Sequence, residues 1–297
     1  MIQSSNDTKP YYNLTIGDAM HKDETLKVTF WGVRGSHPQC QSAFTTVGGH
    51  TSCVSLEVDG QYLIFDAGTG LINAGDEILK RGLKKATLLI SHPHADHISG
   101  LAFFKPLHRP DFELTIIASG LWSKENGGIE PVLEKVISPP YFPVPWKQVP
   151  CKRSCIDVPI GSHFSLNHVK ISTIALDHPG GSSGYRVDIG DKSVCYITDT
   201  AHTPGELDQS LVAFIQRTHL LIYDATFTEE EFAAKPTWGH STWNQAVAIA
   251  KAAAIRDLAL FHHDPGHDDA FMADIEAQAQ SHFSRAFVAR QGMIRMV

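Results

Sequence analysis

No stretch of about eighteen apolar residues occurs anywhere in the chain, so no membrane-spanning helix is expected. The opening residues, MIQSSNDTKPYYNL, lack the apolar centre of a secretory signal, and a cytoplasmic location is the default expectation. Cysteine is scarce. Cys40, Cys53, Cys151, Cys155 and Cys195 form an odd, scattered set. They lack the second cluster that a structural zinc site needs, which favours reduced bystander thiols. Nor does one sign of charge dominate: 25 Lys and Arg stand against 32 Asp and Glu, a formal net charge of −7. That balance argues against a long nucleic-acid partner, whose binding rests on cations meeting phosphates. What the chain does have is histidine, 17 residues of it, more than packing requires.

The 297 residues exceed the usual length of one domain, yet α/β architectures of this size often fold as one. Residues 1–26 are polar and aperiodic and read as an N-terminal extension. Val28–Trp31, Cys53–Val58 and Tyr62–Phe65 are short β-rich runs broken by Gly and Asp, as antiparallel strands would be. Further strands are expected at Ala86–Ser91, Leu114–Ala118, Val169–Leu176, Gly184–Ile189, Ser193–Thr198, Leu220–Tyr223 and Leu258–Phe261, and an alanine-rich helix at Thr242–Ala254. Residues 138–159 are too rich in proline for a helix interior and read as an ordered loop or edge segment. Strands in two groups, each interleaved with helices, favour a layered α/β fold, an αββα sandwich.

Directly after the apolar run Ala86–Ser91 the chain writes His92-Pro93-His94-Ala95-Asp96-His97. Alternate side chains of an extended segment share a face, so His92 and His94 can grip one ion. Asp96 and His97 fall where a helix is expected to begin, at Ile98 to about Phe104, and point toward a second ion. Imidazole with carboxylate suits zinc, and also manganese, iron or nickel. Polar residues close the later strands too. His178 would complete the first ion's set, Asp199 would bridge both ions, and His262 or the adjacent His263 would complete the second.

The order H-x-H-x-D-H, His, Asp, His resembles the metallo-β-lactamase fold superfamily from about Val28 onward, which implies a four-layer αββα hydrolase domain over residues 27–297. Asp66-Ala67-Gly68 resembles the motif whose Asp supports the metal loop from behind. Ser182-Ser183-Gly184-Tyr185-Arg186, Asp224-Ala225-Thr226-Phe227 and Gly239-His240-Ser241-Thr242 are similar to segments of tRNase Z and related phosphodiesterases. The resemblance implies His262 as the ligand of the adjacent pair, and strand alternation agrees. It also implies His240 as proton donor with Asp224 as its partner, and Ser182 as a phosphate contact. Asp96 counts among both the ligands and the catalytic residues. Two departures stand out: Tyr223-Asp224 replaces the usual His-Glu, and no long glycine- and basic-rich tRNA-binding arm is visible. Trp31-Gly32-Val33-Arg34-Gly35-Ser36 and Gly48-Gly49-His50-Thr51-Ser52-Cys53 resemble another branch of the same superfamily, which more usually has Asn at the position of His50; His50 and His202 are not read as ligands. Arg34 is read as a turn residue, and Tyr141, Phe142 and Trp146 as packing.

Two divalent cations with Asp96, Asp199 and a bridging hydroxide leave a site of roughly +1, suited to an anionic substrate and an increasingly negative transition state. The expected function is therefore dinuclear metal-dependent hydrolysis of a small phosphodiester, a cyclic nucleotide being the specific guess, with the bridging hydroxide as nucleophile. Thioester hydrolysis of the glyoxalase II type and tRNA 3′ processing remain alternatives. A non-enzymatic metal sensor or scaffold stands last. No membrane partner is expected, and a homodimer is allowed although no residue identifies one.

Overall fold

A computed structural model describes residues 25–120 and 126–297, so that nearly all of the expected N-terminal extension lies outside the described residues. Leu26 is fully buried, and its carbonyl accepts from the amide of Val297, which ties the first described residues to the last.

Fourteen strands form two seven-stranded sheets among the described residues. In the first sheet the order is β14 (Ile294–Met296), β1 (Lys27–Gly32), β2 (Cys53–Val58), β3 (Gln61–Phe65), β4 (Lys85–Ile90), β5 (Glu113–Ser119) and β6 (Lys152–Val158). Strands β14 to β3 pair antiparallel, and β3 to β6 parallel. In the second sheet the order is β13 (Ala286–Val288), β12 (Asp257–Phe261), β11 (Leu220–Asp224), β10 (Lys192–Ile197), β9 (Ser182–Ile189), β8 (Val169–Leu176) and β7 (His163–Leu166). Strands β10 to β13 are parallel, whereas β9 runs against both β8 and β10. It follows that β8, β10, β11 and β12 all end at the same edge.

Helices α1 (Leu71–Lys80) and α3 (Ile129–Val136) pack on the first sheet; α6 (Trp243–Ala252) and α7 (Asp269–His282) pack on the second. Between them come the short helices α2 (Ala95–Ile98), α4 (Gln209–Ile215) and α5 (Glu229–Ala234). The inward faces of the two sheets share one core, in which Phe65 stacks on Tyr196 at 5.0 Å and Phe30 meets Phe287 edge-on. The other face of the first sheet has its own core under α1 and α3. This is the expected four-layer sandwich.

The differences from the sequence reading are local. The helix expected from Ile98 to Phe104 is α2 followed by a 3-10 turn at Leu101–Phe103. The proline-rich stretch of residues 138–159 does supply an edge segment as expected, β6 pairing along the edge of the first sheet. Arg34, read as a turn residue, instead forms isolated β-bridges with Thr51 and His263. It is wholly buried, with Nε donating to the Gly48 carbonyl and Nη1 to that of His267, at 2.8 and 2.6 Å. Burial draws its pKa down to about 10. Trp146 is fully buried, as the packing reading requires, whereas Tyr141 is exposed.

The two sheets are pinned together where the strands end. Ser183 donates its amide to the Ser91 carbonyl and its hydroxyl to that of Ser119, and the Tyr185 hydroxyl reaches the Ile90 carbonyl at 2.7 Å. Loops leaving the carboxyl ends of β3, β4, β8, β10, β11 and β12 are thereby gathered over one crevice, the usual location of sites in α/β folds.

Candidate metal centre

Buried Asp66, the residue after β3, organises the floor of the crevice. Its Oδ1 accepts from the Ser91 amide at 2.7 Å. Its Oδ2 accepts from the Ser91 hydroxyl, the Tyr196 hydroxyl and His97 Nδ1 at 2.8, 2.8 and 2.7 Å. One carboxylate thus joins the metal-type loop after β4 to the second sheet. It also turns His97 so that Nε2 faces inward.

All seven residues proposed as ligands from the sequence come together in two groups. His92, His94, His178 and Asp199 form one and Asp96, His97, Asp199 and His262 the other, the potential donor atoms of each lying within 4.8 Å of one another. Asp199 belongs to both because its oxygens diverge. Oδ1 lies 3.0 Å from His262 Nε2 and 3.3 Å from His97 Nε2. Oδ2 lies 3.4 Å from His92 Nε2 and 3.7 Å from His178 Nε2. Asp96 Oδ2 accepts from the Ser36 amide at 2.7 Å and sits 3.2 Å from His262 Nε2.

The outer nitrogens have partners as well. His178 Nδ1 donates to the Gly239 carbonyl at 2.9 Å, and His262 Nδ1 meets the Thr226 hydroxyl at 3.1 Å. Such partners set the tautomer and leave the inner nitrogen as a lone-pair donor. His92, His94 and His178 have their pKa values lowered, first by burial. Asp96 and Asp199 are held below the usual carboxylate range, because neighbouring imidazoles outweigh the effect of burial. Neutral imidazole and ionised carboxylate are the forms that bind cations.

Two further observations test the fit of divalent ions. His92 Nε2 is buried without any hydrogen-bond partner. His97 and His262 both engage Nδ1, with Asp66 and Thr226, so their Nε2 atoms, 3.2 Å apart, bring two acceptors together. A cation between them relieves what neutral rings cannot. The donor set fits divalent metal.

Beside the second group, buried Asp224 accepts from the amide and hydroxyl of Thr226 and the amide of Ser241 through Oδ1, and from His240 Nδ1 at 2.9 Å through Oδ2. The Asp that stands for the usual Glu therefore still reaches its histidine. Burial lowers the His240 pKa, but Asp224 and then Asp199 and Asp96 raise it further, to about 9. The ring lies 5.0 Å from that of His262, nearly parallel.

The remaining sequence candidates divide. Ser182 is buried at the start of β9, its hydroxyl without a partner, and its neighbour Ser183 bonds to Ser91 just ahead of His92. His263 turns away, its Nε2 meeting the Ala289 carbonyl at 2.9 Å. His50 bonds Thr69, and His202 bonds the Tyr223 hydroxyl, so neither joins the donor groups. Sequence reasoning missed Ser36, Thr226, Tyr196 and the Gly239 carbonyl. Thr226 and Gly239 lie within segments already singled out, and Tyr196 three residues before Asp199; Ser36, at the end of another, is a single polar residue that the fold brings in.

The fold and this His and Asp cluster define a metal-dependent hydrolase. Residues 61–263, more than half of the chain, match the family described as Beta-lactamase superfamily domain, and the chain belongs to that family. It is 35% identical over 290 residues to a Ribonuclease Z of Sulfurisphaera tokodaii, with 80% of this chain and 89% of that protein covered. Among solved structures it resembles the metallo-beta-lactamase fold protein YhfI from Bacillus subtilis, with TM-score 0.68, 20% identity, and 93% and 100% of the two chains covered. It also resembles a diphosphatase from the PhnP family, with TM-score 0.66, 19% identity, and 91% and 97% covered. The chain fits the phosphodiesterase branch of the superfamily.

Proposed function

We propose that this hydrolase cleaves a phosphodiester bond in a small anionic molecule, with a cyclic nucleotide the most specific candidate, using two divalent ions, zinc first among them. The observation that carries the reading is the division of Asp199 between two donor groups, Oδ1 toward His97 and His262 and Oδ2 toward His92 and His178. His92, His94 and His178 hold one ion and Asp96, His97 and His262 the other, with Asp199 shared. When bound, the two ions supply Lewis acidity, activating water near neutral pH and neutralising charge on the scissile phosphoryl group.

The chain's own residues do the rest. Asp66 keeps His97 in its tautomer through the bond to Nδ1. Asp224 orients His240 through Nδ1, leaving Nε2 to protonate the departing alkoxide. The unpartnered Ser182 hydroxyl donates to a phosphate oxygen. Residues 27–297 act as one hydrolase domain. Cleavage at an RNA 3′ end is a second reading, supported by the Ribonuclease Z relatives.

The test is an assay of metal-loaded protein on bis(p-nitrophenyl) phosphate, on a thioester such as lactoylglutathione and on a precursor tRNA, together with metal analysis. The expected result is two ions per chain and a clear preference for the small diester. A single tight ion, or faster thioester cleavage, overturns the proposal; preferred tRNA cleavage selects the second reading.

A further inference from the structure

Two aromatic side chains outside the metal centre, Phe227 and Trp238, follow one another out from His240. Phe227, buried, meets the His240 ring edge-on at 5.6 Å, and Trp238 meets Phe227 in turn at 6.4 Å. Lys235 Nζ lies 4.7 Å from the Phe227 ring centre and 5.0 Å from that of Trp238, and pairs with Asp264 at 3.7 Å. Trp238 is 57% exposed. An indole ordinarily hides most of its surface, so one held open beside a catalytic crevice calls for an explanation.

The backbone carrying the indole is tied to the site. Trp238 precedes Gly239, whose φ is +81° and whose carbonyl accepts the Nδ1–H of His178. His240 follows immediately, anchored on Asp224. Trp238 is therefore one residue from a group that holds a donor imidazole and two from the candidate acid. Lys235 Nζ over the ring and Phe227 beside it support an indole that still leaves more than half of its surface open.

We propose that Trp238, backed by Lys235, is the stacking platform for a nucleobase on the departing part of the substrate, so that the site takes nucleotide diesters in preference to alkyl ones. This rests on the diesterase reading above, in which His240 protonates the leaving group. The acid marks the side from which the leaving group departs. An aromatic face next to the acid is where the body of that group comes to rest. Base stacking on an aromatic side chain tolerates any base, because each has a π-face, and a neighbouring cation adds attraction for the ribose phosphate.

The experiment measures equilibrium binding of AMP and of ribose 5-phosphate, which differ only in the base, to the metal-loaded full chain. Wild type, Trp238→Ala and Trp238→Phe are compared by calorimetry. Wild type is expected to bind AMP about tenfold more tightly, Trp238→Ala to lose that margin while holding ribose 5-phosphate about as well as wild type, and Trp238→Phe to keep most of it. Equal wild-type affinities, or a margin that survives Trp238→Ala, overturn the platform. Turnover of bis(p-nitrophenyl) phosphate by wild type tests the underlying reading separately. If turnover is absent while the margin and its loss stand, the platform holds and the diesterase reading alone falls.

Discussion

His178 and His240 stand 5.4 Å apart, centre to centre, yet their Nδ1 partners suit them to opposite tasks. The partner of His178 is a neutral carbonyl, which leaves a neutral ring that can ligate. The partner of His240 is a carboxylate, which raises its affinity for a proton and makes it an acid. His240→Ala should therefore keep both metals yet slow cleavage of diesters with poor leaving groups by roughly 10²- to 10⁴-fold. An activated p-nitrophenyl ester needs little protonation and should slow much less; Asp224→Asn should show a weaker version of the same contrast. Equal losses on both substrates would make His240 structural. For the adjacent pair, His262→Ala should lose one ion and most activity, because its Nε2 faces Asp96 and Asp199. His263→Ala removes a buried bond to a carbonyl, so it should lower stability by about 1–3 kcal/mol with both ions retained. Metal analysis and denaturant unfolding of the two variants distinguish these outcomes.

At the scale of elements, the carboxylates and imidazoles of the site sit where strands stop. Asp66, Asp199 and His262 all take left-handed backbone conformations, with φ of 57°, 53° and 60°. A side chain there leaves the strand direction and turns into the crevice, at a backbone cost of about 1–3 kcal/mol each that the surroundings must sustain. The loop from Gly239 into α6 is built the same way. Thr242 caps α6 in a capping box with Gln245, which fixes the two residues before it. A Cβ added at Gly239 would lie 2.3 Å from Pro179 Cδ and 2.4 Å from His178 Nδ1, at a φ that disfavours any other residue. Gly239→Ala should displace His178 and cost the ion of that group while leaving the other bound. Titration of the variant with zinc, read as two sites becoming one, checks this; retention of both sites would show that the loop moves instead.

At the scale of the molecule, the centre lies between two sheets and ties them together. Tyr196 of the second sheet bonds Asp66 of the first, and the ligands come from both. Asp199, Asp96 and Asp66 together outweigh burial and hold the His97 pKa above its ordinary value, the mark of a place where positive charge is favoured. Removing metal should therefore loosen the contact between the sheets. Zinc at one hundred times its dissociation constant should stabilise the fold by about 2.7 kcal/mol, read as a rise in unfolding midpoint over chelator-treated protein. His92→Ala should lose much of that rise. No difference between metal-loaded and chelated protein would mean that the ions bind without bridging the sheets.

Local chemistry sufficed for part of this. The run Cys53–Val58 and the run Val169–Leu176 are strands over the expected residues because β-branched and apolar side chains there alternate or fill a buried sheet. The spacing of His92, His94, Asp96 and His97 is likewise a short-range property, legible because a strand end followed by a helix start decides where each side chain points. Strands of three residues such as Ala286–Val288 and Ile294–Met296 are too short to show a period, and their pairing partners make them strands. The burial of Arg34, the amide that Ser36 offers to Asp96 and the separation of His262 from His263 depend on chain segments up to 233 residues apart. Only the closed sandwich brings such segments together, because a hydrogen bond to a distant residue leaves no trace in the sequence around it.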